Sequence, residues 1–312
     1  MNLQQVSLDI FYTLIFPGFL FTAIVGLLLT WVDRKITAVV QSRIGPPWYQ
    51  PFADVGKLMA KKMVAPSGSS IGFFIAPLIS IAGVALASAL VFRALINPQT
   101  GFVGDVIVLL YLMTLPALAL IIGGASSRSP FGAIGASREM SMVLAYEVGF
   151  LLSIITVIIQ SKSIQLSGII AYQAAHGAIV FSVSGFLALC IALLCVQAKL
   201  GFLPFDISEA DTELIGGPLA EYSGSGLALF KISRAMMFFQ LPAFVALLFL
   251  GANQLTLFSL IGLALKLLAV LALLILIKIT HARLRLDQML RLFWGRLAVV
   301  GLIAVVLAMV GW

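Results

Sequence analysis

The sequence predicts an all-α polytopic membrane protein with about eight transmembrane helices and one amphipathic helix on the inner surface. Three observations predict it. Charged residues make up only 10% of the 312 residues and hydrophobic ones 62%, whereas a soluble domain carries roughly 25% charged residues. Eight apolar runs each have about the 17–25 residues that a hydrocarbon core of roughly 30 Å requires. Lys and Arg gather on alternate connections between those runs. With no partner for backbone groups in lipid, helices are the spanning form for such runs.

The runs lie near 12–32, 71–92, 105–125, 141–160, 177–198, 232–250, 255–278 and 297–312. Pro17, Pro77, Pro116 and Pro242 fall inside them, as kinks that neighbouring helices resatisfy. No basic stretch precedes the first run, which is long enough to span. It is expected to stay as a helix rather than be cleaved as a signal. Placing both termini outside puts Arg34, Lys35, Arg43, Lys57, Lys61, Lys62, Arg128, Arg138, Lys199, Arg283, Arg285, Arg291 and Arg296 inside. Only Arg93 and Lys162 then remain on outer loops. This positive-inside bias accounts for the net charge of +7 and excludes a nucleic-acid partner as its reason. Between 51 and 63, Phe52, Val55, Leu58, Met59 and Met63 fall near one helical face and Lys57, Lys61 and Lys62 towards another. That pattern predicts a helix lying in the interface of the lipid bilayer. Without repeats or linkers the chain reads as one domain, 1–312, with a first inner loop at 33–70 and an acidic inner loop at 199–231.

The acidic loop is the feature that topology does not explain. From Leu200 to Phe230 there is no Lys or Arg, yet Asp206, Glu209, Asp211, Glu213 and Glu221 all occur. If Asp206 to Glu213 is helical, Asp206, Glu209 and Glu213 share one face. Carboxylates that close raise one another's pKa, and such a row can pass protons. The competing reading is a solvated acidic face. Phe202, Leu203, Pro204, Phe205, Gly216, Gly217 and Pro218 around the acids favour the functional one. Glu147, preceded by Tyr146, stands about 10 Å deep in the fourth run at 1.5 Å per residue. A carboxylate there faces a bundle interior or a water path, or is paired with an Arg of another helix. Glu139 beside Arg138 reads equally as a relay group or a surface ion pair. Lys266, in the seventh run, reads as partner to a buried acid or as a gating charge. Asp33, Arg34 and Lys35 close the first run, and with Arg43 they form either an ordinary charged turn or a docking surface for a soluble partner. Cys190 and Cys195 lie in one apolar run and read as packing. Two histidines, His176 and His281, give no evident redox centre or metal cluster.

These residues resemble the H-subunit (chain 1) family of respiratory complex I and its relatives in membrane-bound nickel–iron (NiFe) hydrogenases, of the formate hydrogenlyase and archaeal membrane-bound type. The likeness runs through Asp33-Arg34-Lys35, Arg43, Gly45 and Pro46, then Gln50-Pro51-Phe52-Ala53-Asp54 and Lys57. It continues in Ser129 to Glu139, in Tyr146-Glu147, and in Leu203-Pro204-Phe205-Asp206-Ile207-Ser208-Glu209-Ala210-Asp211-Thr212-Glu213-Leu214. Gly217-Pro218-Leu219, Glu221-Tyr222-Ser223-Gly224 and Ala282 to Asp287 complete it. The Ser129 to Glu139 segment and Gly-Pro-Leu look like the hydrogenase branch, and Gly-Pro-Leu together with Asp33, where complex I has Glu, weakens the quinone reading. The resemblance implies a non-catalytic, plasma-membrane subunit that couples a docked soluble module to proton or sodium translocation. Its implied ion path is Glu147, Asp206, Glu209, Glu213 and Glu221, with Asp211 where Glu is usual, and Glu139, Tyr146 and Lys266 as candidates beside it. Asp33, Arg34, Arg43, Asp54 and Lys57 would dock the soluble module. The implied partners are hydrogenase-like large and small subunits, an iron–sulphur subunit and antiporter-like membrane subunits, with ferredoxin as electron donor. The NiFe centre and iron–sulphur clusters would sit in those partners, with no cofactor in this chain. The equivalent subunit of a membrane-bound sulphur (sulfane) reductase, and the quinone-binding H subunit of NADH:quinone oxidoreductase, remain alternatives.

Overall fold

The computed structural model describes residues 11–96, 101–209, 211–251 and 257–311. The side chains of 211, 212 and 257–260 lie outside that description, as do the expected start of the seventh run at 255 and the end of the eighth at 312. The order of elements follows the sequence. Helix α1 is Phe19–Val40, α2 Gln50–Ala60, α3 Ile71–Ile96, α4 Asp105–Ser126, α5 Pro130–Ser161, α6 Leu166–His176 and α7 Val183–Lys199. Then come α8 Asp211–Leu214, α9 Gly224–Val245, α10 Leu257–Thr280, α11 Leu286–Leu290 and α12 Ala298–Val310. Helix α9 continues as a π-helical turn over Ala246–Leu250, and a second π segment, Arg291–Leu297, joins α11 to α12.

Among the described residues, seven stretches are long and apolar enough to cross a membrane. The fifth expected span is present but short. Its helix α7 has 17 residues because it begins at Val183, not at 177. Gly177, at φ +94°, and a 3₁₀ turn at Ile179–Phe181 occupy the difference. The Ser182 hydroxyl accepts the Gly185 N–H at 3.0 Å and so fixes the start. Conversely the last span starts well before 297, since Leu286–Val310 is one apolar helical stretch of 25 residues. Pro17 interrupts its run just ahead of α1, whereas Pro77, Pro116 and Pro242 lie inside α3, α4 and α9. The amphipathic helix is α2, with Phe52, Val55 and Leu58 half-buried and Lys57 exposed.

Two features depart from the sequence reading. Residues 206–209 are not helical, so Asp206, Glu209 and Glu213 do not form one helical face. Among these residues only the single turn α8 is helical, and it is closed by Ile215 at φ +52° and Gly216 at φ +89°. The left-handed pair closes α8 at its C-terminal end. The other departure is α6, eleven residues in what reads as an outer loop, too short to span at 1.5 Å per residue. Its first N–H, on Leu166, is satisfied from afar by the buried carboxylate of Asp105 at 2.8 Å.

By contacts the chain forms two compact units. The first comprises 1–89, 111–140 and 206–240, the second 90–110, 141–205 and 241–312. In the first, Tyr222 is a packing centre. Its ring stacks on Phe73 at 4.1 Å, meets Phe230 edge-on at 5.0 Å, and its hydroxyl donates to the Phe73 carbonyl at 2.8 Å. Burial pushes the Tyr222 phenol well above its ordinary pKa, so it stays a donor. In the second, the buried amide of Gln173 donates to the carbonyls of Leu247 and Leu248 at 3.1 and 2.8 Å. Lys266 donates to Leu250 and Gly251, both at 2.7 Å. Together they satisfy the carbonyl end of α9 where its π turn stops. Lys266, expected to face a buried acid or to act as a gating charge, thus has backbone carbonyls as its partners among the described residues.

Candidate functional site: two clusters of paired charges

The first cluster is assembled by the acidic loop against α5 and α9. Glu139, 6% exposed on α5, hydrogen-bonds with Ser208 and lies in the field of Glu209, Asp206 and Arg234. Arg234, nearly three turns into α9, donates to Glu209. Beside them Arg138 donates to Glu213 at 2.6 Å. The sequence pairing of Glu139 with Arg138 therefore does not form: consecutive helical residues point apart, and each finds its partner on the loop. Three acids thus lie around one guanidinium, close enough for their charges to interact.

The loop reaches α5 because of glycine. A Cβ on Gly135 would sit 2.5 Å from Pro218 Cδ and 2.7 Å from its nitrogen. Only a bare Cα lets the 3₁₀ turn Gly217–Leu219 lie directly on the helix. Asp211 opens α8, and its side chain lies outside the described residues. Glu221 is half-buried beyond the 3₁₀ turn, and no ion pair joins it to the cluster among the described residues.

The second cluster joins α5 to α7. Lys199, the last residue of α7, places its ammonium 2.5 Å from the Glu147 carboxylate. The lysine side chain is 1% exposed and the glutamate 19%. Aromatic faces complete the ammonium's shell, with Phe150 at 4.7 Å and Tyr146 at 5.6 Å to the ring centroids. Tyr146 is fully buried. Gly149 keeps α5 close to α7, since a Cβ there would lie 3.0 Å from the Cys195 sulphur. An ion pair replaces the bare carboxylate, and its partner is a lysine rather than an arginine.

The docking candidates hold the first inner loop together. Arg34 of α1 pairs with Asp54 of α2 at 3.0 Å, and Gln50 donates to the same carboxylate at 2.9 Å. The Trp31 indole donates to the Pro46 carbonyl at 3.0 Å. Burial alone would raise the Asp54 pKa, but the hydrogen bonds from Arg34 and Gln50 outweigh it and hold the carboxyl below its ordinary range. Arg43 and Lys57 are exposed, and Asp33 is buried within α1, which runs on past the Asp33-Arg34-Lys35 segment expected to close it and ends at Val40. Two partners of the acids, Lys199 and Arg234, are not among the site residues the sequence points to. The available signal was their position. Each is a cation at the edge of an apolar run, within a helical turn or two of the acidic loop's ends.

Apolar helices of spanning length whose interiors carry paired charges define a multi-pass membrane protein built around buried ionisable groups. Comparison with known proteins narrows this class. The NADH dehydrogenase family matches residues 13–309. The H subunit of NADH-quinone oxidoreductase from Neisseria meningitidis is 32% identical over 304 residues, covering 89% of this chain and 83% of that protein. Hydrogenase-4 component C of Escherichia coli is 35% identical over 205 residues, covering 65% of this chain and 64% of that one. A chain in the structure of the membrane-bound sulfane sulfur reductase, an archaeal respiratory membrane complex, has a TM-score of 0.87 at 29% identity, covering 96% of this chain and 99% of its own. The chain belongs to the NADH dehydrogenase family, among the membrane subunits of complex I-like and hydrogenase-related oxidoreductase complexes.

Proposed function

We propose that this chain is the anchor and ion-path subunit of a ferredoxin-linked, energy-conserving membrane-bound NiFe hydrogenase complex of the plasma membrane, with both termini outside. The observation that carries the ion-path reading is the Lys199–Glu147 pair beside Tyr146. A carboxylate held in an apolar helix by one ammonium responds to any further charge brought near it, which is what a coupling element must do. The Glu139, Asp206, Glu209 and Arg234 set would pass protons or respond to charge at the docked module. Glu213, Glu221 and Asp211 extend it along the loop. Arg43, Lys57 and the Arg34–Asp54 pair would hold the hydrogenase-like large and small subunits and the iron–sulphur subunit, whose NiFe centre and clusters do the redox chemistry. Antiporter-like subunits would continue the membrane arm. The likeness to the sulfane sulfur reductase chain over 96% of the sequence supports a second reading, the equivalent subunit of a sulphur-reducing complex.

Purification of the native complex through a tag on this chain tests both. Co-purifying hydrogenase-type subunits with nickel support the first reading, and sulphur-reductase-type subunits without nickel the second. Isolation with no oxidoreductase subunit would overturn both. The ion path is tested separately with Glu147→Gln/Lys199→Gln, which removes both charges together. Assembly and soluble redox activity should persist while vesicles cease to pump. Normal pumping in an assembled double variant would sink the reading.

A further inference from the structure

The start of the last span holds a recess that neither cluster uses. Leu284, Gln288, Arg291, Leu292 and Arg296 line about 260 Å³ of space, close to nine water volumes at roughly 30 Å³ each. The backbone explains why two arginines five residues apart share it. Residues at i and i+5 diverge on an α-helix, but Arg291–Leu297 is π-helical, and the wider turn of i→i+5 bonding brings such residues towards the same side. Both arginines are exposed, and among the described residues neither has an ion pair. Topogenic charge would explain arginines here. It does not explain their convergence on one recess with an amide donor, Gln288.

The surroundings name the ligand. Arg291 is only a few residues into the apolar stretch Leu286–Val310, and a residue so near the end of a spanning helix falls towards the headgroups. Trp294 is 58% exposed, and its indole donates to the Leu144 carbonyl at 3.3 Å, the posture of an interfacial anchor. Below the recess Val299, Leu302, Ile303 and Val306 are all about half exposed at i, i+3, i+4 and i+7, an uninterrupted apolar track on α12. Guanidiniums take phosphate oxygens in bidentate fashion, and an apolar track leading away from them suits acyl chains.

We propose that this recess binds the headgroup of an anionic phospholipid, its phosphate held by Arg291, Arg296 and Gln288 and its chains lying on the α12 track. The proposal does not depend on which soluble module docks. In the purified native complex, stripped of lipid and reconstituted in nanodiscs, phosphatidylglycerol should raise the thermal midpoint and phosphatidylcholine should not. Arg291→Gln/Arg296→Gln should weaken the phosphatidylglycerol response by about thirtyfold in lipid concentration, with subunit composition unchanged. Arg291→Lys/Arg296→Lys keeps both charges, so insertion is preserved. It should still lose part of the response, because the bidentate fork is gone. If the glutamine variant does not assemble, the lysine variant decides, and an undiminished response in it overturns the proposal. So does an equal midpoint shift from inorganic phosphate alone, which would make the recess a site for free anions.

Discussion

The two charged clusters solve the same electrostatic problem by different means. Around the acidic loop Glu139, Asp206 and Glu209 gather near Arg234, and Glu213 reaches out to Arg138. Between α5 and α7 one carboxylate faces one ammonium, enclosed by two aromatic rings. The loop set has partners to spare and partial access to water, so loss of one member redistributes charge. The helix pair has no substitute, so each member depends on the other. The difference separates a pair whose members need each other from a set in which several groups share the charge.

The largest effect should follow from Lys199→Met. It strands Glu147 in an apolar setting, at about 3–5 kcal/mol for breaking a buried pair. The chain should fall sharply in membrane abundance, and Lys199→Met/Glu147→Gln should restore it. Equal abundance in single and double variants would break the comparison, because the pair would then not be interdependent.

Next comes Gly135→Ala, which drives a methyl into Pro218. Overpacking of this kind costs about 1–3 kcal/mol, read as a lowered thermal midpoint of the purified complex. Alanine at Gly56, whose Cβ would meet nothing within 4 Å, is the control. A milder effect is expected from Arg234→Gln, since its side chain is 37% exposed against 1% for Lys199. Glu209→Gln should rescue most of it by removing the surplus charge. A loss as severe as that of Lys199→Met would show that the loop set is as exclusive as the helix pair.

The smallest effect belongs to Asp54→Asn, where the exposed Arg34–Asp54 pair is worth about 0–1 kcal/mol. The Asp54 pKa is lowered in the folded chain. Its contribution is therefore complete above the ordinary aspartate value of about 3.9 and lost as pH falls through the depressed folded value. A spin label on α2 should gain mobility in that acidic window, and in Asp54→Asn the pH dependence should vanish.

Most of the helical architecture is legible in the sequence, because apolar runs and the placement of Lys and Arg report directly on the bilayer. The amphipathic α2 is legible for the same reason. Helix α6 is not, since eleven mixed residues between spans carry no length signal. Within the site, the acids are conspicuous as charges in apolar surroundings, but their partners are hidden. Glu147 and Lys199 are 52 residues apart and Glu209 and Arg234 are 25 apart, separations that say nothing of contact until the helices pack. The helical face expected for Asp206 to Glu213 did not form because residues 206–209 take turn and irregular backbone, which charge spacing does not register.

Lys266 bears on how the protein is made. An isolated α10 entering lipid would carry an ammonium near its middle, at about 2.5–3.5 kcal/mol on insertion scales. Its carbonyl partners, Leu250 and Gly251, belong to the segment that leaves the ribosome just before it. Translation therefore delivers the acceptor ahead of the donor, and the two helices are best released from the insertion machinery as a hairpin.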